Sequence, residues 1–325
     1  MSPDSGHPRP GVAVCVGITS LDVVHRVTMA PPRGRKSVSS AVELSAGGPA
    51  ANAAVTCAAL LGSATLVTAI GDGPLTTVVR EDLAAHHVRV IDLADTSTHS
   101  PNSNSKSTGY AGWQLPVASV VVEPDGIRTV VAPGATNSTL ALTPAARAAV
   151  SAADAILLDG HHPVAAAEAL SLAHPKAITI LDAGSVKPLV QPWIPQLSVV
   201  AASADYAAAL DLTPDQAVDD LIAQGTRAAL VTTGPGPVRW RTAYGGSGVV
   251  QPPQVRAVDT LGAGDAFHGA LLAALVQSPS LSSDFGYAVE RAVRVASLRV
   301  AHVSARSWLT HLPGETGWTE ASEAT

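Results

Sequence analysis

Short, continuous apolar runs alternate along the chain with longer Ala-rich stretches. VAVCVG (12–17), ATLVTAIG (64–71), DAILLDG (154–160), AITILDAG (177–184), SVVAAS (198–203) and RAALVTTG (227–234) have the length of strands and end in polar or glycine residues. Between them, PAANAAVTCAALLG (49–62) predicts a helix with Pro49 in its first turn and Gly62 as its stop. LTTVVREDLAAHH (75–87) predicts another, and helical patterns recur near 144–151, 163–173 and 214–224. Strands that are apolar throughout, rather than at alternate positions, are covered on both faces. The repeated strand-then-helix order therefore predicts an α/β fold built on a doubly wound, mostly parallel sheet. Ligands of such sheets bind outside the carboxyl ends of the strands.

Two polar segments break the rhythm: 19–46 and 96–123, each with alternating β-like patches. Loops of that length are uncommon inside a compact domain, so both are expected to build a small β lid. The α/β core is then assigned to 1–18, 47–95 and 124–312. The Ser/Asn run at 100–107 reads as a loop tip and 313–325 as a flexible tail.

Composition narrows the classes. The chain has 325 residues, of which 46% are hydrophobic, enough for a large core and too apolar for a disordered protein. A net charge of −6 and a pI near 6.0 argue against nucleic acid or an anionic membrane as a partner. No apolar run reaches the roughly 18 residues of a membrane helix, and no signal peptide opens the chain, so a soluble, cytoplasmic protein is expected. Cys15 and Cys57 each lie in an apolar stretch and read as buried structural thiols. The histidine pairs at 86–87 and 161–162 lack partners at zinc-ligand spacing.

The stretch with the most chemistry is VDTLGAGDAFHGALLAAL (258–275). A helix start offers unpaired N–H groups and partial positive charge, and glycines let an anion approach the backbone. Gly262, Ala263 and Gly264 are therefore candidates to hold a phosphoryl group, with Asp265 as a base for an attacking hydroxyl. Read locally, the same residues also suit a helix start without chemistry. The run is neither a dinucleotide fingerprint nor a P-loop, since it lacks the third glycine of the one and the GK[ST] of the other.

With this motif goes a second, AGGPAANAAVTCAALLGSATLVTAIGDG (46–73). Together the two resemble the signatures of the ribokinase-like (PfkB) carbohydrate kinases over about 12–312, and VGITSLD, GGPAANAA and GAGDAFHGA are similar to the sulfofructose-kinase branch. The resemblance implies ATP-dependent phosphorylation of a sugar hydroxyl with Mg²⁺, and leaves a monovalent cation such as K⁺ an open requirement. It implies Asp265 as catalytic base and Gly262, Ala263 and Gly264 as anion hole. Asp22, Gly47, Gly48 and Asn52 would contact the sugar, while Thr232, Thr233, Gly234 and Gly236 would lie against the nucleotide. The family's lid often mediates dimerisation, so a homodimer through the lid is implied. The sequence departs from the family at the N-x-x-E stretch that organises the metal. Ser203-Ala204-Asp205-Tyr206 stands there, leaving the metal ligands unassigned with Asp205 and Asp182 as candidates.

Acidic and amide side chains suit sugar hydroxyls, whereas Arg33, Arg35 and Lys36 on the first insertion would suit a phosphorylated or sulfonated sugar if Lys36 faces the site. Two alternatives stay open. A nucleoside kinase of the same fold would need an aromatic-lined pocket, for which Tyr110 and Trp113 are the local supply. A non-catalytic sugar-binding protein would fit the altered N-x-x-E stretch.

Overall fold

The computed structural model describes residues 11–94, 113–133 and 139–313. The run at 100–107, Tyr110 and the tail from 314 lie outside the described residues.

The chain begins with β1 (Ala13–Val16), then enters β2 (Ser20–Arg26) and β3 (Ala41–Gly47), which belong to a separate small sheet. It returns through α1 (Pro49–Leu61), β4 (Ala64–Thr68), α2 (Thr76–Ala85) and β5 (Val88–Asp92). After β6 (Val117–Val122) and β7 (Arg128–Val131) of the small sheet come α3 (Pro144–Ser151), β8 (Ala155–Leu158), α4 (Pro163–Leu172), β9 (Ile178–Ala183) and β10 (Val199–Ser203). The last third holds α5 (Ala204–Ala209), α6 (Pro214–Ala223), β11 (Ala228–Thr232), β12 (Val238–Thr242), β13 (Ser247–Val250), α7 (Ala263–Gln277) and α8 (Phe285–Val300).

The large sheet has nine strands in the order β13-β12-β11-β10-β9-β8-β1-β4-β5. Pairing is parallel from β11 to β5, and β12 and β13 add an antiparallel edge. Chain order runs outward in both directions from the β1/β8 boundary, which makes it the switch point where the carboxyl ends open a crevice. Alternate residues of β1 feed opposite cores: Ala13 and Cys15 pack with α1 and α7, and Val14 and Val16 with α3, α4 and α6. That two-sided burial is why these strands are apolar at every position. Both cysteines are free and buried, and burial pushes their thiols up, so they stay neutral.

The elements expected at 49–62, 75–87, 144–151, 163–173 and 214–224 correspond to α1, α2, α3, α4 and α6. Gly62 ends α1 in the left-handed region at φ 87°, with its N–H on the Ala58 carbonyl. α8, β5, β12 and β13 lie outside the elements expected from the sequence. In the small sheet β2 pairs antiparallel with β3 and parallel with β6, and β6 pairs antiparallel with β7. The second insertion thus contributes a strand beyond residue 123.

α1 and α7 cross almost backbone to backbone. A Cβ on Gly269 would lie 2.3 Å from the Ala53 carbonyl oxygen and 2.7 Å from Thr56 Cβ, so no side chain fits there. This contact sets the spacing between the helix bearing Asn52 and the helix bearing Asp265. Gly269→Ala gains about 1 kcal/mol of helix propensity, but the overpacking cost of roughly 1–3 kcal/mol, set against backbone that cannot yield, is expected to win. Chemical denaturation should show a lower midpoint; an unchanged or higher one would mean that the helices separate freely.

Candidate active site

The site begins at the switch point. Past β1 the chain runs through Gly17, where a Cβ would fall 2.1 Å from the Asp159 carboxylate carbon. Asp159, at the end of β8, is buried and fully engaged. One oxygen accepts from Ile18 N at 2.8 Å and Ala50 N at 3.2 Å, the other from His161 N at 2.9 Å. It thereby fills an orphan donor position of α1, whose N-cap Gly48 supplies no side chain.

Gly47 and Gly48 are required by space. A Cβ on Gly47 would overlap the Asp22 carboxylate at 2.0 Å, and one on Gly48, at φ 93°, would press on the Ile18 carbonyl at 2.6 Å. Asp22, on β2, is buried and accepts from Ser20 Oγ at 2.8 Å; burial raises its pKa above the usual carboxylate range, opposed by Ser20 and Arg306. From α1, Asn52 donates through Nδ2 to Asp265 Oδ2 at 2.9 Å and accepts on Oδ1 from Arg306 Nη1 at 3.0 Å.

Gly262 caps α7 in the left-handed region at φ 71°, and Asp265 lies in the helix's first turn. The Ala263 N–H is directed to the Thr260 carbonyl at 3.3 Å. The N–H groups of Gly262, Gly264 and Asp265 have no partner among the described residues. Burial, then the charge of Asp182, pushes the Asp265 carboxyl up to about 6, against the opposing pull of the Asn52 amide and His268. One turn along the same helix, His268 Nδ1 lies 3.2 Å from Asp182 Oδ2 at the end of β9. Burial works against both charges of this pair, yet each favours the other's ionised form.

The loop before α7 is tied down by the small sheet. Asp259 is buried between Arg26 of β2, at 2.8 Å, and Arg299 of α8, at 3.5 Å. Arg128 of β7 donates to both Oγ1 and the carbonyl of Thr260. Between core and small sheet lies an open cleft, lined by Asp22, Ser45, Asn52, Leu261, Gly262 and Arg306 among others.

The folded chain thus brings together Asp22, Gly47, Gly48, Asn52 and the Gly262–Asp265 turn. It does not bring Lys36 to them: Lys36, Arg33 and Arg35 are exposed and line no part of the cleft. Thr232, Thr233, Gly234 and Gly236 form a separate tight turn at the end of β11. Gly234 is at φ 64°, Gly236 N donates to the Thr233 carbonyl, and Thr233 Oγ1 donates to the Pro237 carbonyl at 2.9 Å. Asp205 is exposed at the start of α5, and Asp182 is committed to His268 and Gly184 N. No group of three or more His, Cys, Asp or Glu among the described residues has metal-binding proximity. His162 is buried against Trp113, and Trp240 packs on Phe285 within the core. The residues missed by sequence reasoning are Asp159, Asp82, Asp259 and Arg306. Only Asp259 carried a signal, as the acid of the DT that opens the glycine-rich motif.

A family described as pfkB family carbohydrate kinase matches residues 12–311, and the chain belongs to it. A ribokinase of Bacillus subtilis is 27% identical over 302 residues, spanning 90% of this chain and 94% of the relative. Among solved structures, a ribokinase from Giardia lamblia superposes with a TM-score of 0.76 at 16% identity, over 96% of this chain and 98% of its own. An Arabidopsis thaliana ribokinase complexed with ribose and ATP superposes with a TM-score of 0.73 at 19% identity, over 98% of this chain and 100% of its own. No helix among the described residues is long and apolar enough to cross a membrane.

The raised pKa of Asp265 makes a stability prediction. The folded protein holds this proton more tightly than the unfolded chain, so the group's contribution is present below about pH 4 and is lost as pH rises through about 6. Asp265→Asn is therefore expected to stabilise the protein by roughly 1–3 kcal/mol at neutral pH, with no gain near pH 4. Denaturation midpoints of both proteins across this range check it; a variant less stable at neutral pH would contradict it.

Proposed function

We propose that the chain transfers the γ-phosphoryl group of ATP to a hydroxyl of a small sugar held between core and lid, with Asp265 as general base. The observation that carries the reading is the Asn52–Asp265 hydrogen bond beside unpartnered helix-start amides, at a cleft that also holds Asp22. Asp22 and Asn52 suit sugar hydroxyls, and Gly47 and Gly48 let the backbone come close. Asp265 takes the proton as the hydroxyl oxygen bonds to the γ-phosphorus, and the bond from that phosphorus to the β–γ bridging oxygen breaks to release ADP. Helix-start amides at 262 and 264 meet the charge on the transferring oxygens. The amide of Ala263, already directed to Thr260, contributes only if that bond yields.

ATP as donor is supported by the Arabidopsis ribokinase, which was solved with ribose and ATP. The turn at 232–236 follows a strand of the same sheet and is the proposed nucleotide contact. Mg²⁺, when bound, would neutralise phosphate charge. The donor set fits an ion held chiefly by the nucleotide, with the exposed Asp205 as the available protein carboxylate. A neutral sugar is favoured over a phosphorylated or sulfonated one. Arg299 and Arg306, the arginines that line the cleft, already bond to Asp259, His302, Asp82, Asn52 and Ala46.

A coupled ADP-release screen over neutral, acidic and phosphorylated sugars and nucleosides tests the reading. Turnover is expected with a neutral sugar, with an acid limb near pH 6. Asp265→Asn should cut kcat by about 10²–10⁴-fold; near-normal turnover in that variant, or turnover confined to nucleosides, would reject it.

The lid also supports a homodimer. Val131, Leu44 and Val23 share one row across the small sheet, on the face opposite Asp22, and Val131 and Leu44 are exposed. Leu44→Lys with Val131→Lys should convert a dimer to a monomer in light scattering. A wild-type protein that is monomeric at micromolar concentration would dismiss the interface.

A further inference from the structure

Arg306 stands just before the short 3-10 segment Ser307–His311 that follows α8, far along the chain from every motif of the sugar site, yet it touches three parts of that site at once. Its Nη1 donates to Asn52 Oδ1 at 3.0 Å, and Nη2 to the Ala46 carbonyl at 2.7 Å. Nη2 and Nε also reach Asp82 Oδ2 at 2.9 and 3.2 Å, and a longer bond from Nη1 meets the Ala305 carbonyl. Each N–H of the guanidinium has an acceptor, so none is left over to seize a ligand.

Asp82, on α2, completes the frame. It accepts the Ala46 N–H at 2.9 Å and lies 3.2 Å from His86 Nδ1. Burial opposes its charge, but His86 and Arg306 hold its carboxyl well below the usual carboxylate range. Both backbone polar groups of Ala46, the residue before Gly47 and Gly48, are therefore clamped by one ion pair. The same pair decides which way the Asn52 amide faces. With a cation on Oδ1, Nδ2 must point to Asp265. With the amide turned over, Oδ1 would confront the carboxylate and the NH₂ would confront the guanidinium.

We propose that Arg306 is the positioning residue of the active site: held by Asp82, its planar fork orients Asn52 toward Asp265 and fixes the Ala46–Gly48 turn. This rests on the kinase reading given above. The effect on turnover runs through Asn52, whereas the effect on sugar binding runs through the turn. A lysine offers a single ammonium in place of a fork and cannot span Asp82, Asn52 and Ala46 together.

The test uses full-length enzyme with ATP and whichever sugar the wild type turns over. A wild type that turns over no sugar would count against the kinase reading itself, whatever the variants do. Arg306→Lys is expected to keep the wild-type melting temperature within a few degrees and to lose about tenfold or more in kcat, with a raised KM. A role in charge or folding alone would be rescued by lysine. In an Asn52→Ala background, adding Arg306→Met should change kcat by less than about twofold while KM still rises. Asp82→Asn, which leaves the guanidinium in place but weakens its support, should move kcat and KM in the same direction by a smaller factor, and serves if an Arg306 variant fails to fold. Wild-type kcat and KM in Arg306→Lys or in Asp82→Asn, or kcat losses that multiply in the double variant, would overturn the proposal.

Discussion

Asp265 occupies a position where burial and the neighbouring Asp182 both work against its charge, and only a few contacts work for it. The start of α7 supplies partial positive charge. Asn52 donates one hydrogen bond, and His268 lies one turn along the helix. The surrounding structure orients this carboxylate and, with its pKa raised to about 6, leaves it mostly ionised at neutral pH. The glycine contact at 269 brings α1 within reach of α7, Asp159 secures the start of α1, and Arg306 sets the Asn52 amide.

The small sheet is more than a cover. It supplies Asp22 to the cleft, and through Arg26 and Arg128 it grips Asp259 and Thr260, the two residues just before the turn that opens α7. A shift of these strands would be felt at the helix start within a few residues. The small sheet and the unpartnered amides that open α7 are thus physically joined, so that in the proposed reaction closure over a sugar would also act on the groups facing the transferred phosphate.

Much of the core was legible in the chain because its elements obey local rules. Apolar runs covered on both sides announce parallel strands, Pro49 and Gly62 bracket α1, and the glycines ahead of Asp265 mark a helix start open to an anion. Where local rules are weak, the reading was incomplete. α8 follows no turn or cap signal strong enough to announce it, and β12 and β13 are short strands, β13 at the sheet edge, whose form depends on their neighbours. For Lys36, on a basic cluster that would suit a charged substrate if it faced the site, the fold leaves the turn exposed, and only the tertiary structure could say so.

The sequence by itself determined most of the strand and helix order of the core, the doubly wound architecture, and the residues of the two glycine-rich turns, because spacing and backbone freedom are properties of neighbouring positions. Only the tertiary structure decided which polar groups meet. Asn52 and Asp265 are separated by 213 positions, and Arg306 and Asn52 by 254. No periodicity links residues so far apart; the partner of a buried charge is selected by the packing of whole helices, and that packing exists only once the chain has closed on itself.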